Sequence, residues 1–94
     1  DKKDFDRALK DANEAVRLDP KLADAYFRRG YIHGELKDFK KSIAEYDAAI
    51  RLDPEMNSAY QNRGHSYWQL KDYDRAIEDY SAAMRLAPDD SGLI

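Results

Sequence analysis

The chain has 94 residues, a formal net charge of −3 and no cysteine, which limits it to one domain with a thin core and excludes disulfides, thiolate metal ligands and a cysteine nucleophile. Acidic and basic residues are interleaved and the isoelectric point is near 5.3, so no basic field is available for nucleic acid or anionic lipid. No apolar run approaches the ~20 residues that span a bilayer. The compartment is undetermined, with the cytoplasm as the default expectation.

Three prolines divide the chain at a constant interval. Pro20, Pro54 and Pro88 recur with a 34-residue period, which is the mark of a repeat architecture. Aligning residues 23–54 with 57–88 gives identity at 14 of 32 positions. We therefore expect one array: residues 21–54 and 55–88 are full units, 1–20 is the second half of a truncated unit, and 89–94 is the start of a further unit or a tail.

The first segment, residues 1–20, aligns with the second half of a unit. Asp4 and Phe5 stand where Asp38 and Phe39 stand one unit later. The segment is thus predicted to be a single helix, the second of a unit whose first helix is missing.

The next unit is predicted to contain two helices, over about 23–36 and 39–52, from apolar residues at helical spacing. They are separated at Lys37-Asp38, where Asp38 is a natural N-cap. Pro54 ends the second helix because proline cannot donate the helical N–H.

The last unit repeats this pattern, with helices over about 57–70 and 73–86, an N-cap at Asp72 and a terminating Pro88. Five helices are expected in all. Gly30 and Gly64 stand inside helices, where glycine costs about 1 kcal/mol relative to alanine. We attribute them to close approach of the partner helix's backbone, opposite the small residues Ala49 and Ala83.

Two ion pairs are expected across the helical hairpins. The sequence interval from Arg29 to Glu45 is the same as the interval from Arg63 to Asp79. Folding each hairpin would place these side chains next to each other.

The repeated residues resemble the tetratricopeptide repeat family, whose unit is a 34-residue pair of helices. The family's Trp-x-x-Leu-Gly-x-x-Tyr stretch is matched by Tyr26-x-x-Arg29-Gly30-x-x-His33 and Tyr60-x-x-Arg63-Gly64-x-x-Tyr67, and its Ala-x-x-x-Phe stretch by Ser42-x-x-x-Tyr46 and Ala76-x-x-x-Tyr80. The resemblance implies an all-α solenoid of antiparallel helix pairs, wound as a right-handed superhelix. Four residues depart from the family pattern and place polar groups in the seams, the packed contacts between neighbouring helices. There they need hydrogen-bond or ion-pair partners. These residues are Arg29, Arg63, His33 and Ser42.

A repeat array with truncated ends exposes apolar faces, since about three repeats are usually needed for stability. Three explanations stay open: the chain is a fragment of a longer array, it stacks end to end, or it exchanges terminal helices with a second copy.

Signals for catalysis are missing from the sequence. His33 and His65 have neither zinc-site spacing nor a cysteine partner, and the glycines form no phosphate-binding loop or nucleophile elbow. We therefore expect no enzyme, no metal and no cofactor.

The resemblance implies a peptide-binding groove along the first helices, with a protein or peptide as the partner and neither nucleic acid nor membrane. Phe27, Tyr31 and Trp68 would be apolar anchors, Arg28 would bind a carboxylate and Asn62 a peptide backbone. Packing of Trp68 against a neighbouring helix is an equal alternative, and His65 is either an acid-sensitive contact or a spectator. The implied groove residues are Asp24, Phe27, Arg28, Tyr31, Glu35, Ser58, Gln61, Asn62, His65, Trp68 and Gln69.

Some chaperone-binding members of the family hold a peptide's terminal carboxylate with Lys and Asn residues. Phe27 and Tyr31 occupy the corresponding places in one unit, and Gln61 and His65 in the other, so chaperone tails are not the expected ligand. A helical-repeat RNA-binding protein would need a basic groove and a 35-residue period. This sequence has neither, so RNA binding is not the expected function. The expected function is a non-catalytic protein-interaction scaffold, and the alternative is self-assembly through the open ends.

Overall fold

The structure, a computed structural model, describes residues 2–86, with side chains from residue 4 onward. This part of the chain forms five α-helices and no strand, which confirms the all-α expectation. Pro88 and the segment 89–94 lie outside the described residues. The helices are α1 (Lys2–Leu18), α2 (Ala23–Glu35), α3 (Phe39–Leu52), α4 (Asn57–Gln69) and α5 (Tyr73–Leu86).

The helices alternate between two layers. α2 pairs most extensively with α3, and α4 pairs with α5, while α1 packs on α2 and α3 packs on α4. The two first helices, α2 and α4, also touch each other. The described chain is therefore a short array of 38 × 27 × 23 Å, in which α2 and α4 form one layer and α1, α3 and α5 form the other.

Each hairpin turn is built on a lysine in the left-handed region, Lys37 (φ 66°) and Lys71 (φ 67°). The Lys37 N–H donates to the Gly34 carbonyl, and the Asp38 N–H donates to the His33 carbonyl. These paired bonds form a Schellman motif, which satisfies carbonyls that the end of a helix leaves without partners. The motif recurs at Lys71, so both hairpins share one turn geometry.

The predicted N-caps are confirmed. The Asp38 carboxylate accepts from the Lys41 backbone N–H at 3.4 Å, and the Asp72 carboxylate accepts from the Arg75 N–H at 3.4 Å. Each cap satisfies one backbone donor at the start of a second helix.

The core is thin and consists mainly of alanine, which lets the two layers approach closely. Of the eight buried hydrophobic residues between positions 4 and 86, six are alanines, and Ile32 and Tyr46 are the other two. One polar pair is buried between the units: the hydroxyl oxygens of Ser42 and Ser66 are 2.7 Å apart. The Ser66 hydroxyl is therefore the hydrogen-bond partner that the buried Ser42 hydroxyl needs.

The partner helix lies close to both helical glycines, but its backbone is among the nearest atoms only at Gly64, where a Cβ would lie 3.2 Å from the Ala76 carbonyl oxygen. The residues expected to face the glycines were wrong. A Cβ on Gly30 would lie 2.9 Å from the Tyr46 ring and 3.1 Å from Glu45 Cβ. A Cβ on Gly64 would lie 3.1 Å from both Asp79 Cβ and the Tyr80 ring. The glycines therefore make room for a tyrosine ring, whereas Ala49 and Ala83 are buried but are not among the nearest neighbours of either glycine.

Both predicted ion pairs are present in a two-pronged geometry. Arg29 Nε and Nη2 donate to Glu45 at 2.6 and 3.0 Å, and Arg63 donates to Asp79 at 2.8 and 2.7 Å. Each arginine also reaches back to the preceding second helix, where Arg29 donates to Asn13 at 3.1 Å and Arg63 to Asp47 at 2.8 Å. The arginines thus connect consecutive units. This second role was not predicted from the sequence, although both of these partners precede their arginine by the same interval.

Candidate functional site

The eleven implied groove residues lie on α2 and α4, the two helices of the first layer. Seven of them line two cavities, one between α1 and α2 and one between α4 and α5. The other four, Asp24, Ser58, Trp68 and Gln69, line neither cavity.

The cavity between α1 and α2, called the α1–α2 cavity, has a volume of about 430 Å³. Its wall is mainly apolar, with Asp11 and Arg28 as its charged residues. Such a surface suits a large apolar side chain, because burial of apolar area is the main favourable contribution. The lining residues are Phe5, Ala8, Asp11, Ala12 and Ala15 from α1 and Phe27, Arg28, Tyr31 and Ile32 from α2.

The cavity between α4 and α5, called the α4–α5 cavity, has a volume of about 510 Å³ and a mixed lining. Amide, imidazole and carboxylate groups face an apolar wall from α5. This chemistry suits the alternating polar and apolar groups of a peptide. The lining residues are Glu35, Gln61, Asn62, His65, Tyr80, Ala83 and Met84.

Two tyrosine rings contact the residues of the site: Tyr80 lines the α4–α5 cavity, and Tyr46 packs against Phe27 of the α1–α2 cavity. Burial raises the pKa of Tyr46 and that of Tyr80, because it disfavours the charged phenolate. The Tyr46 ring packs against Phe27 with 5.6 Å between centroids. Phe27 is consequently half-buried and held by α3, whereas Tyr31 is 49% exposed.

Two polar groups assigned to ligand binding are engaged within α2 and α4. Arg28 pairs with Asp24 at 2.8 Å on the exposed surface, and the Asn62 amide donates to the Ser58 carbonyl at 2.9 Å. A ligand carboxylate would have to displace Asp24 from Arg28, at the small cost typical of an exposed ion pair.

Trp68 stands apart from both cavities. Trp68 is 49% exposed, and its ring makes a T-shaped contact with the Tyr73 ring at 4.6 Å between centroids. Trp68 therefore packs against a neighbouring helix and still exposes about half of its surface to solvent. Gln69 lies beside His65, with 3.5 Å between their nitrogens.

The wall that α1 contributes was not expected from the sequence. The missed signal is at Ala12, which occupies the place that Tyr46 and Tyr80 hold in the two following units. A small residue in place of a ring leaves space in the seam, and the α1–α2 cavity is located there.

Metal binding and membrane crossing find no support in the described residues. Within residues 2–86 there is no group of three or more His, Asp or Glu side chains placed to hold a metal ion. None of the five helices has the length and apolar character needed to cross a bilayer.

Sequence comparison covers nearly the whole chain. A family model described as Tetratricopeptide repeat matches residues 1–57, and a second model with the same description matches residues 58–90. No curated protein sequence matches the chain.

Comparison with solved structures supports the same fold. The Arabidopsis OM64 TPR domain has a TM-score of 0.90 at 27% identity, over 95% of this chain and 74% of that one. The TPR2B domain of yeast Sti1, in a complex with pHsp70, has a TM-score of 0.89 at 28% identity, over 94% and 70%. The first TPR of Spaghetti, bound to an HSP90 peptide, has a TM-score of 0.89 at 23% identity over 93% and 69%, a likeness of fold alone.

Proposed function

Since this chain belongs to the tetratricopeptide repeat family, we propose that it is a non-catalytic scaffold that binds an extended peptide or protein segment along α2 and α4. The observation that carries the proposal is the pair of cavities that open beside these helices. One cavity is apolar and the other mixed, so a peptide could place an apolar anchor in the first and hydrogen-bond in the second.

The complex of the related Sti1 domain with pHsp70 supports a peptide or protein as the class of partner. The residues of this chain argue against a terminal carboxylate as the feature it recognises. Phe27, Tyr31 and Gln61 are not cations, and Arg28 is paired with Asp24. An internal segment with an aromatic or aliphatic anchor is the ligand that fits this surface.

Selection from a random peptide display library, followed by calorimetry, tests the proposal. Tyr31→Ala is expected to weaken binding of the selected peptide by about tenfold, because hot-spot aromatic residues at interfaces contribute about 1 kcal/mol or more. Leu18→Ala is the matched control, since Leu18 is 68% exposed and lines neither cavity. Equal affinity of the wild type and Tyr31→Ala would reject the groove.

One observation favours the alternative, self-assembly. The outer face of α5 exposes two large apolar side chains, Ile77 (57% exposed) and Met84 (62% exposed). Their counterparts in α3, Ile43 and Ile50, are partly covered, and α3 packs on α4. The exposed face of α5 can therefore pack on a helix of a second copy.

Absolute mass from light scattering, over a hundredfold range of concentration, separates the two functions. Self-assembly through α5 predicts a mass that rises with concentration and falls to that of the monomer in Ile77→Glu. A constant monomer mass would reject self-assembly and leave the groove as the functional surface.

A further inference from the structure

A further cavity of about 450 Å³, called the α1–α2–α3 cavity, lies where these three helices meet and shares no lining residue with the other two cavities. The side chains of His33 and Arg29 from α2 form its base and are 12% and 22% exposed. Exposed residues of α1 and α3 form its rim. The cavity therefore opens between two second helices, whereas the proposed groove follows the first helices. The lining residues are Leu9 and Asn13 from α1, Arg29 and His33 from α2, and Lys41, Ala44 and Glu45 from α3.

His33 leaves room in this seam because its side chain is small for its position. The corresponding residue one repeat later is Tyr67, and the guanidinium of Arg75 lies 5.9 Å from the centre of the Tyr67 ring. Arg75 is in turn the counterpart of Lys41, which lines the cavity. In the second seam, a phenol ring and a guanidinium thus pack together where the first seam has an imidazole and a lysine. The smaller imidazole leaves space that the Tyr67 ring takes up one repeat later.

The charge at the cavity also differs between the two equivalent seams. Asn13 and Ala44 stand where Asp47 and Glu78 stand one repeat later. With His33 neutral, the lining of the cavity has two cations and one carboxylate, a formal charge of +1, whereas the equivalent positions have two cations and three carboxylates, a formal charge of −1. The cavity is therefore cationic in a chain that is acidic as a whole. The charged residues are Arg29, Lys41 and Glu45 in the first seam, and Arg63, Arg75, Asp47, Glu78 and Asp79 in the second.

Both cations of the cavity have donors for a ligand. Arg29 donates three hydrogen bonds, to Glu45 and Asn13, and a guanidinium has five N–H groups, so two are left among residues 4–86. The Lys41 ammonium is 3.8 Å from Asp38 in an exposed pair, which is easily displaced. One ligand carboxylate would match the single positive charge and accept charge-assisted hydrogen bonds from both cations.

We propose that the α1–α2–α3 cavity binds a glutamate side chain from an acidic segment of a partner protein. The carboxylate is held by Lys41 and Arg29, and its methylene groups contact Leu9 and Ala44. The ligand is a polypeptide because an exposed ion pair by itself adds little affinity, and a longer chain can add contacts along α1 and α3. This site goes beyond the groove proposed above. The two share no residue, so the chain can hold two partners at once.

The probes are two end-blocked peptides, Gly-Ser-Glu-Glu-Glu-Ser-Gly and Gly-Ser-Gln-Gln-Gln-Ser-Gly, and glutarate as a free dicarboxylate. Each is titrated into the whole ¹⁵N-labelled chain, where amide chemical shifts give both the affinity and the location. Two variants take their new residue from the equivalent seam: His33→Tyr refills the cavity, and Ala44→Glu adds the carboxylate that Glu78 supplies there. Gln69→Glu is the matched control, because it makes the same charge change on an exposed residue that lines none of the three cavities.

The glutamate peptide is expected to shift the amides of His33, Lys41 and Ala44. The glutamine peptide should bind at least about tenfold more weakly, because charge-assisted hydrogen bonds are roughly twice as strong as neutral ones. Ala44→Glu should weaken binding of the glutamate peptide by about tenfold through the added like charge, and His33→Tyr should weaken it by occupying the space. Gln69→Glu should change the affinity by less than about twofold, because salt screens a distant charge. Tyr31→Ala, which alters the groove, should leave it unchanged.

Several results would overturn the proposal: no binding of the glutamate peptide, equal affinities of the two peptides, shifts centred away from the cavity, or equal losses in Ala44→Glu and Gln69→Glu. The two peptides on the wild-type chain decide this even if His33→Tyr fails to fold. Glutarate binding as tightly as the glutamate peptide would assign the cavity to a free dicarboxylate instead. Failure here leaves the groove intact, since the groove is tested by Tyr31→Ala with a different peptide.

Discussion

Arg63 connects three helices through one side chain. It lies on α4 and donates to Asp79 on α5 and to Asp47 on α3. The hydrogen bond to Asp79 is the main cause of the raised pKa of Arg63, against the opposing effect of burial. The guanidinium therefore stays charged, and its side chain is 20% exposed while that of Asp79 is 7% exposed.

Removal of the Asp79 carboxylate should destabilise the chain strongly. We expect Asp79→Ala to lower the free energy of unfolding by about 3 to 5 kcal/mol, because it leaves a partly buried arginine without its main partner. Urea denaturation followed by circular dichroism measures this. The matched control, Asp24→Ala, removes an exposed pair with Arg28 and should cost at most about 1 kcal/mol. Similar losses in the two variants, or zero coupling between Arg63 and Asp79 in a double-mutant cycle, would contradict the assignment.

His33 makes stability depend on pH. Its side chain is 12% exposed and 3.9 Å from Glu45. Burial lowers the pKa of His33 below 6.5, although Glu45 and Asp38 oppose that effect and Lys41 and Arg29 add to it. The folded chain therefore binds this proton less readily than the unfolded chain does.

Stability should accordingly fall as the pH decreases from about 6.5 through the folded-state pKa of His33, because the unfolded state then takes up more protons. Urea midpoints between about pH 7.5 and 5.5 measure the effect. His33→Gln should flatten that dependence, because it removes the buried imidazole. A stability that rises on acidification through this range would contradict the assignment of His33.

Among the helices, α2 contains two glycines in different surroundings. A Cβ on Gly30 would be 2.9 Å from the Tyr46 ring, whereas a Cβ on Gly34 would be 3.9 Å from Ser42, an ordinary contact. The same substitution in one helix should therefore have opposite effects at the two positions.

Gly34→Ala should raise the free energy of unfolding by up to about 1 kcal/mol through helix propensity. Gly30→Ala should lower it by about 1 to 3 kcal/mol, because overpacking of the seam outweighs that gain. Thermal and urea denaturation of the two variants give the comparison. Stabilisation by both substitutions would show that the α2–α3 seam is looser than the structure indicates.

Helix boundaries followed from the sequence because their determinants are local. Asp38 and Asp72 mark helix starts, and Pro20 and Pro54 follow helix ends. The use of Lys37 in a left-handed turn was not predictable from its type, since glycine is the usual residue there. The hairpin geometry imposes that conformation on lysine.

Across the array as a whole, the layers were more predictable from the sequence than the site was. The 34-residue period determines which helices are equivalent, and that is sufficient for the fold. The two cavities depend on which side chains are small where units meet, as at Ala12, and on internal pairs such as Arg28 with Asp24. The cavities arise from contacts between helices, so they cannot be predicted from the position of a residue within its own helix.

Amide chemical-shift mapping of the ¹⁵N-labelled chain, with a peptide selected from the display library, locates the binding surface of the array. We expect the largest shifts on α2 and α4, around Tyr31, Asn62 and His65, with the exposed positions Lys10 and Lys40 unaffected. Shifts confined to α1, α3 and α5 away from the cavities would contradict the proposal that this chain is a scaffold with its binding surface on the first helices.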